Sequence, residues 1–246
     1  MDIEDTLKLA LIEMGIHFTS NQLDALKRYL DIVFNYNKRI NLTGTKNKEE
    51  ILKRHILDSI SLLKYKSELF DRCGMGSNDQ KVLDLGTGAG LPGIPLSIFV
   101  TNKIFYLLDS SLKKTDFLEM VKGELNLRNV KILRGRAEEL GARSIYRESF
   151  DIVLARAVAN IRILNELSIP FCKINGRIIF YKSRKIDAEL EEGRESILKL
   201  GGIIEDLLEV RVPYIDEKRF FLVINKIKES PGAYPRSFNR IKKNPL

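Results

Sequence analysis

Val82-Leu-Asp-Leu-Gly-Thr-Gly-Ala-Gly-Leu-Pro-Gly-Ile94 reads as a buried strand running straight into a glycine-rich turn. Val82, Leu83 and Leu85 supply the strand, Asp84 stands near its end, and Gly86, Gly88 and Gly90 follow at every second position. Glycine tolerates positive φ and carries no Cβ, so such a turn lets a flat ligand lie against the backbone. Open α/β sheets bind nucleoside cofactors at this place, where a strand leaves the carboxyl edge of the sheet and a helix begins.

The spacing narrows the cofactor. A dinucleotide fingerprint, Gly-x-Gly-x-x-Gly, counted from Gly86 would need a glycine where Leu91 stands. Counted from Gly88 it reaches Gly93, but misaligns with the end of the strand by two residues. The run Asp-x-Gly-x-Gly-x-Gly from Asp84 to Gly90 instead resembles the first motif of class I S-adenosylmethionine-dependent methyltransferases. That cofactor has no pyrophosphate. The loop need only admit an amino acid and a ribose, with Asp84 near the cationic end. A purely structural turn is the alternative, and it does not need three alternating glycines after a buried strand.

Outward from the loop, strands and helices alternate. Strands are expected at 103–108, 130–133, 150–155 and 177–181, with helices at 113–125, around Ile161, Leu164 and Leu167, and at 187–200. Two last runs, 203–212 and 219–226, flank Pro213 and a polar turn and can pair as a hairpin. This order suits a seven-stranded mixed sheet with helices on both faces and a terminal antiparallel hairpin. Before the loop the chain looks helical. Ile3, Leu7, Ala10, Leu11 and Met14 form one stripe, and Leu23, Leu26, Leu30, Val33 and Phe34 a second, which Ser20 can cap. Asn47 and Glu50 suggest a capping box for a third helix with Ile51, Leu52, Ile56, Ile60 and Leu63. The polar stretch from Cys73 to Asp79 reads as a linker. The division is thus a helical extension at 1–72, an α/β domain at 73–228 and a basic tail at 229–246.

With 246 residues the chain can build a core without disulfides. Cys73 and Cys172 form no metal-binding or redox pair, and His17 and His55 are too few for a histidine metal site. The acidic, amphipathic start has no secretory pattern, and no apolar run reaches the about 20 residues a bilayer requires. A cytoplasmic protein without a membrane partner is expected.

Net charge is +8, and six cations (Lys226, Lys228, Arg236, Arg240, Lys242, Lys243) face only Glu229 in the last 21 residues. A solvated tail is one reading. Tyr234 and Phe238 between the cations favour nucleic acid, since aromatic rings stack on bases and cations displace counterions from phosphates. Asp109 closes the second strand, where a carboxylate can accept from both ribose hydroxyls; it could also cap the next helix, a task open to Ser110 or Ser111. After the third strand, Ala137 and Glu138 are candidates for the adenine edge, or Glu138 is simply an acid at a helix start. Arg156, at the end of the fourth strand, wants an anion: the cofactor carboxylate, Asp84 or an RNA phosphate, unless it only snorkels to solvent.

Asn41-Leu-Thr43, Arg54-His-Ile-Leu-Asp-Ser59, the Asp84–Pro95 motif, Leu108-Asp-Ser110, Arg136-Ala-Glu138, Ala155-Arg-Ala157 and Arg219-Phe-Phe-Leu-Val-Ile224 occur together and in this order. Over essentially its whole length the chain therefore resembles the RsmG (GidB) family of bacterial 16S rRNA guanine-N7 methyltransferases. The resemblance implies S-adenosylmethionine as cofactor and contacts to it at Gly86, Leu91, Ala137, Glu138 and Arg156. To these the loop reading adds Asp84, Gly88, Gly90 and Asp109. The resemblance also places the basic residues Arg136, Arg156, Lys182 and Arg219 around the active site and the RNA, with Arg136, Arg156 and Lys182 as positioning groups and Arg236 of the Tyr-Pro-Arg tail as a further RNA contact. Ser183-Arg184 stands where the family commonly has glycine after the lysine. Ser237-Phe-Asn-Arg-Ile-Lys242 replaces the usual Ala-Gly pair and proline.

Guanine N7 carries a free lone pair and no proton, so methylation there needs alignment and not a general base. His55 is accordingly given no such role, and His17 is read as a surface residue. The implied substrate is 16S rRNA, free or in a 30S particle, bound by a single chain. The rivals are a class I enzyme with another substrate, and a non-catalytic RNA-binding or assembly factor that kept the fold.

Overall fold

The computed structural model describes residues 2–71, 80–156, 159–183 and 186–246. Seven strands, β1 (Lys81–Leu85), β2 (Ile104–Asp109), β3 (Val130–Arg134), β4 (Phe150–Arg156), β5 (Cys172–Ser183), β6 (Gly202–Val210) and β7 (Arg219–Lys226), form one sheet. Their order is β3-β2-β1-β4-β5-β7-β6. The first five are parallel, while β7 runs antiparallel to both β5 and β6. The expected mixed sheet and terminal hairpin are both present, with β7 inserted between β5 and β6. Because β1 lies between β2 and β4, the chain reverses its direction of winding there. Such a switch point opens a crevice at the carboxyl ends of the strands.

Strand β5 begins five residues before the expected 177, because Asn175 adopts φ 67° and the pairing shifts between Phe150 and Ile152. Gly176 passes so close to the Asp151 carbonyl that a Cβ would stand 2.7 Å from it.

Side chains alternate across the sheet and build two apolar layers. Val82, Phe105, Leu107, Ile152, Leu154, Ile179 and Val223 face one side, together with α5 (Gly93–Phe99), α6 (Leu112–Glu124) and the N-terminal helices α1 (Ile3–Glu13) and α2 (Ser20–Asn37). Leu83, Leu85, Val153, Ile178, Phe180, Leu222 and Ile224 face the other, covered by α8 (Ile161–Ser168) and α9 (Ile186–Lys199). Each fully buried aliphatic side chain contributes about 1.5–3 kcal/mol relative to exposure. The N-terminal helices thus share one core with the sheet. The expected linker at 73–79 and the boundary at 72–73 lie outside the described residues.

Two capping details differ from expectation. Thr19, not Ser20, caps α2, in a full box with Gln22. Asn47 does accept from the Glu50 amide, but the Glu50 carboxylate turns to the Thr45 hydroxyl, and Thr45 takes the Asn47 amide. The helix that Asn47 starts is irregular. It passes from α3 (Lys48–Ile51) through a wide π-turn at Leu52–Leu57, a short α4 (Asp58–Ile60) and a 3-10 segment, Ser61–Tyr65. π-turns swing side chains out of the regular stripe, and this one carries Arg54 and His55.

Candidate active site

The glycine loop is held from three sides. The amides of Gly86 and Thr87 donate to the Leu108 carbonyl at 2.9 and 3.0 Å, tying the loop to the end of β2. Gly86, Gly88 and Gly90 all adopt positive φ (69°, 60° and 96°), which explains the alternating glycines. From below, the wholly buried Tyr29 of α2 donates its hydroxyl to the Ala89 carbonyl at 2.8 Å. The helical extension therefore supports the loop directly.

Asp84 is completely buried under the loop. Its Oδ2 accepts from the Thr87 hydroxyl at 2.5 Å and the Gly93 amide at 2.8 Å, while Oδ1 has no partner among the described residues. Burial pushes the carboxyl up to about 6 against the pull of those two hydrogen bonds. A buried acceptor without a donor is costly, and Asp84 lines neither of the cavities described below.

Beside the loop opens a cavity of about 410 Å³, lined by Gly86, Asp109, Ser110, Lys114, Arg136, Ala137, Glu138, Ala159, Ile163, Leu167, Phe238 and Lys242 among others. Asp109 accepts from the Ser111 amide at 2.9 Å and the Gly88 amide at 3.1 Å, with Lys114 at 3.4 Å. Oδ2 takes both the Gly88 amide and Lys114, while Oδ1, with the Ser111 amide alone, keeps a second lone pair for a ligand hydroxyl. Ala137 and Glu138 start the short helix α7 (Ala137–Leu140). Gly86, Asp109, Ala137 and Glu138 thus come together at one cavity. Leu91 does not reach it: the residue turns into the apolar core, and Gly90 packs against Ile94 and Leu118. Both support the loop from inside and do not line the cavity.

A second cavity of about 520 Å³ adjoins the first and shares Ala159 with it. Here lie Arg54, Asp58, Arg156, Tyr181, Lys182, Glu189, Glu217 and Arg219. Arg156 belongs to this cavity and not to the first. Within the protein its anionic partner is Asp58 and not Asp84: Nε donates to Asp58 Oδ2 at 2.7 Å and a terminal nitrogen to the Arg54 carbonyl at 2.7 Å. Asp58 Oδ1 accepts from Arg219 at 3.2 Å. Lys182 pairs with Glu189 at 2.6 Å. His55 lies 3.3 Å from Arg156, and burial together with that cation holds its imidazole down to about 4, hence neutral near pH 7. Ala157 and Arg184, both named in the motifs above, lie outside the described residues.

The tail is docked against α8. Arg236 grips the fully buried Glu166 with two nitrogens, at 2.8 and 2.5 Å, and its amide takes the same carboxylate at 2.8 Å. Its charge is engaged in docking the tail to α8. Lys226 is also enclosed, bonded to Ser230 and 3.1 Å from Glu148. The exposed cations of the tail are Lys228, Arg240, Lys242 and Lys243.

Asp58 is the residue that sequence reasoning passed over, although it stands inside a quoted motif. Its signal is chemical: the one charged residue in the run from Ile56 to Leu63, which otherwise holds only aliphatic residues and two serines, and which in a buried helix demands a cation. Lys114, Phe238 and Lys242 carried no comparable signal as cavity residues. Among the described residues there is no cluster of three or more His, Cys, Asp or Glu side chains placed for a metal, and no helix is long and apolar enough to cross a membrane.

Comparison with known proteins agrees with this geometry. A family model described as GidB, rRNA small subunit methyltransferase G, matches residues 22–213. Proteins named ribosomal RNA small subunit methyltransferase G are similar over nearly the full chain. That of Clostridium tetani is 39% identical with all of both chains covered, and that of Thermoanaerobacter pseudethanolicus 37% identical, covering 95% of this chain and 94% of its own. Among solved structures, M. jannaschii TYW2 in complex with AdoMet shares the fold at TM-score 0.50 and 18% identity, covering 63% of this chain and 73% of its own. TrmN from Thermus thermophilus does so at TM-score 0.50 and 18% identity, covering 72% and 53%.

Proposed function

The chain belongs to the rRNA small subunit methyltransferase G family, and we propose that its two adjoining cavities set a guanosine of small-subunit 16S rRNA beside S-adenosylmethionine for methylation at N7. It is an S-adenosylmethionine-dependent methyltransferase of class I fold. The observation that carries the substrate reading is the pair of cavities meeting at Ala159, one with nucleoside-binding chemistry and one lined by Arg54, Arg156, Lys182 and Arg219 against Asp58, Glu189 and Glu217.

When bound, the cofactor supplies an electrophilic methyl group on a sulfonium. Asp109 is positioned to accept from the ribose hydroxyls, Ala137 and Glu138 to meet the adenine edge, and Gly86 to leave room along the backbone. Gly88 fixes Asp109 through its amide. Asp84, wholly buried beneath the loop, shapes it by holding the Thr87 hydroxyl and the Gly93 amide. No residue needs to remove a proton, since N7 has none. His55 fits this: its imidazole faces Arg156 and is neutral, an orienting neighbour and no base.

Binding of the RNA falls to the second cavity. Asp58 locks Arg156 and Arg219 in place, so these guanidiniums meet their target pre-oriented and lose little conformational freedom. Arg54 pairs at the rim with Glu217 at 3.3 Å, both exposed. Such surface pairs are weak, so a phosphate can displace the glutamate. Arg136, in the wall of the first cavity, extends the basic track. This reading places the protein in the cytoplasm, acting as a single chain on 16S rRNA or a 30S particle.

The test is to incubate the protein with methyl-labelled cofactor and 30S particles from a strain lacking the enzyme, then map strand scission at 7-methylguanosine after reduction and aniline. Label confined to one guanosine is expected. Label on another atom or base would give the activity a different substrate, and cofactor binding without transfer would leave only a binding protein.

A further inference from the structure

The helix α10 (Phe238–Lys243) is fastened where its function becomes specific. Ile241 is fully buried in the apolar layer under α8. Arg236 clamps Glu166 of α8, and Arg162 of α8 takes the carbonyl of Pro245 at 2.6 Å. Arg147 holds the carbonyls of Ser230 and Tyr234, each at 2.6 Å. Anchors on both sides of α10 leave it little freedom. What they fix is the outer wall of the first cavity, where Phe238 and Lys242, one helical turn apart, stand with Asp109, Ala137, Glu138, Ile163 and Leu167.

Phe238 remains 37% exposed although its helix is firmly docked. An aromatic ring left partly open on a nucleoside-sized cavity that small and aliphatic residues also line can make one side of a slot for a flat heterocycle. We infer that α10 completes the cofactor cavity and that Phe238 is a binding residue for the purine ring of the cofactor, with Lys242 closing the polar rim. The inference rests on reading this cavity as the S-adenosylmethionine site. It turns the tail from an RNA arm into part of the cofactor pocket, in the stretch where this chain departs from the usual family tail.

The chain contains no tryptophan, so Phe238→Trp creates a single emitter at the proposed contact. Titration with S-adenosylhomocysteine and with adenosine should shift and quench its emission saturably, while methionine should not. Phe238→Ala should weaken S-adenosylhomocysteine binding about tenfold, the scale expected for one base–aromatic stack. Asp109→Asn serves as the reference for the cavity itself. If Asp109→Asn weakens binding while Phe238→Ala does not, and the tryptophan stays silent, the role of Phe238 is overturned and the cavity reading stands. If Asp109→Asn binds like the parent, the cavity reading falls first. Should Phe238→Ala lower the melting temperature, the tryptophan titration decides alone.

Discussion

Asp58 and Arg156 are bonded at 2.7 Å across 98 positions of sequence, and the second oxygen of the same carboxylate holds Arg219. One buried acid thus fixes two cations, from the end of β4 and the start of β7, in the wall of the second cavity. Asp58→Asn keeps the shape and removes the charge. It should cost about 2 kcal/mol of stability, the scale of hydrogen bonds to charged groups, visible in urea unfolding. With the arginines no longer held, KM for rRNA should rise about tenfold while the affinity for S-adenosylhomocysteine stays unchanged. An equal loss of cofactor affinity would show that Asp58 serves the cofactor cavity instead.

Arg219→Ala tests the RNA side directly. Loss of one phosphate contact should weaken rRNA binding and lower the slope of log K against log salt by about one. Cofactor affinity should not change. An unchanged slope would sink the phosphate assignment.

Two glycines of the loop should respond in opposite ways. At Gly88 an added Cβ meets nothing nearer than the Gly86 carbonyl at 4.0 Å. Gly88→Leu therefore folds, at about 1–2 kcal/mol for positive φ, yet fills the face where the ligand lies and should abolish cofactor binding. At Gly93 a Cβ would stand 2.2 Å from Leu107 and 2.8 Å from Asp84 Oδ2. Gly93→Ala should lose stability first. Calorimetric titration beside thermal melting separates the two, and a Gly88→Leu protein that still binds would remove the loop from the site.

Most of the fold was legible because it is written in local periodicity: apolar runs of strand length, separated by helical stripes and glycine turns. The cofactor loop was legible because its backbone needs positive φ at three alternating positions. What escaped was pairing at long range. Nothing near Arg156 in sequence names Asp58 as its partner, and nothing near Arg236 announces the buried Glu166. A cation reads the same whether it waits for phosphate or closes a fold; the difference lies in which acid the topology brings to it. The start of β5 was misplaced for a related reason, since a bulge at Asn175 interrupts the alternation that marks a strand.

The pH dependence of stability should hide two opposing groups. The Asp84 carboxyl is raised from 3.8 to about 6, and the His55 imidazole is lowered from 6.5 to about 4. Between pH 4 and 6 folded Asp84 keeps a proton that the unfolded chain releases, so its contribution falls as pH rises. Between pH 4 and 6.5 unfolded His55 gains a proton that the folded protein refuses, so its contribution rises with pH. The slopes, each up to about 1.4 kcal/mol per pH unit, nearly cancel. Asp84→Asn should leave stability rising with pH across this window, and His55→Gln should leave it falling. Urea unfolding at pH 4.5, 5.5 and 6.5 checks both, and parallel slopes in the two variants would refute the assignment.

Arg236 gives the sharpest separation of fold from recognition. Arg236→Ala leaves the Glu166 carboxylate, fully buried, without its cation. Breaking a buried pair from one side costs about 3 kcal/mol, because the remaining charge stays desolvated. The variant should melt earlier and expose residues 229–246 to trypsin, while the salt slope of rRNA binding keeps its parent value. Its cofactor affinity should fall as well, since the same anchor holds α10 against the cavity. A variant with parent stability and a salt slope lower by one would return Arg236 to the RNA surface.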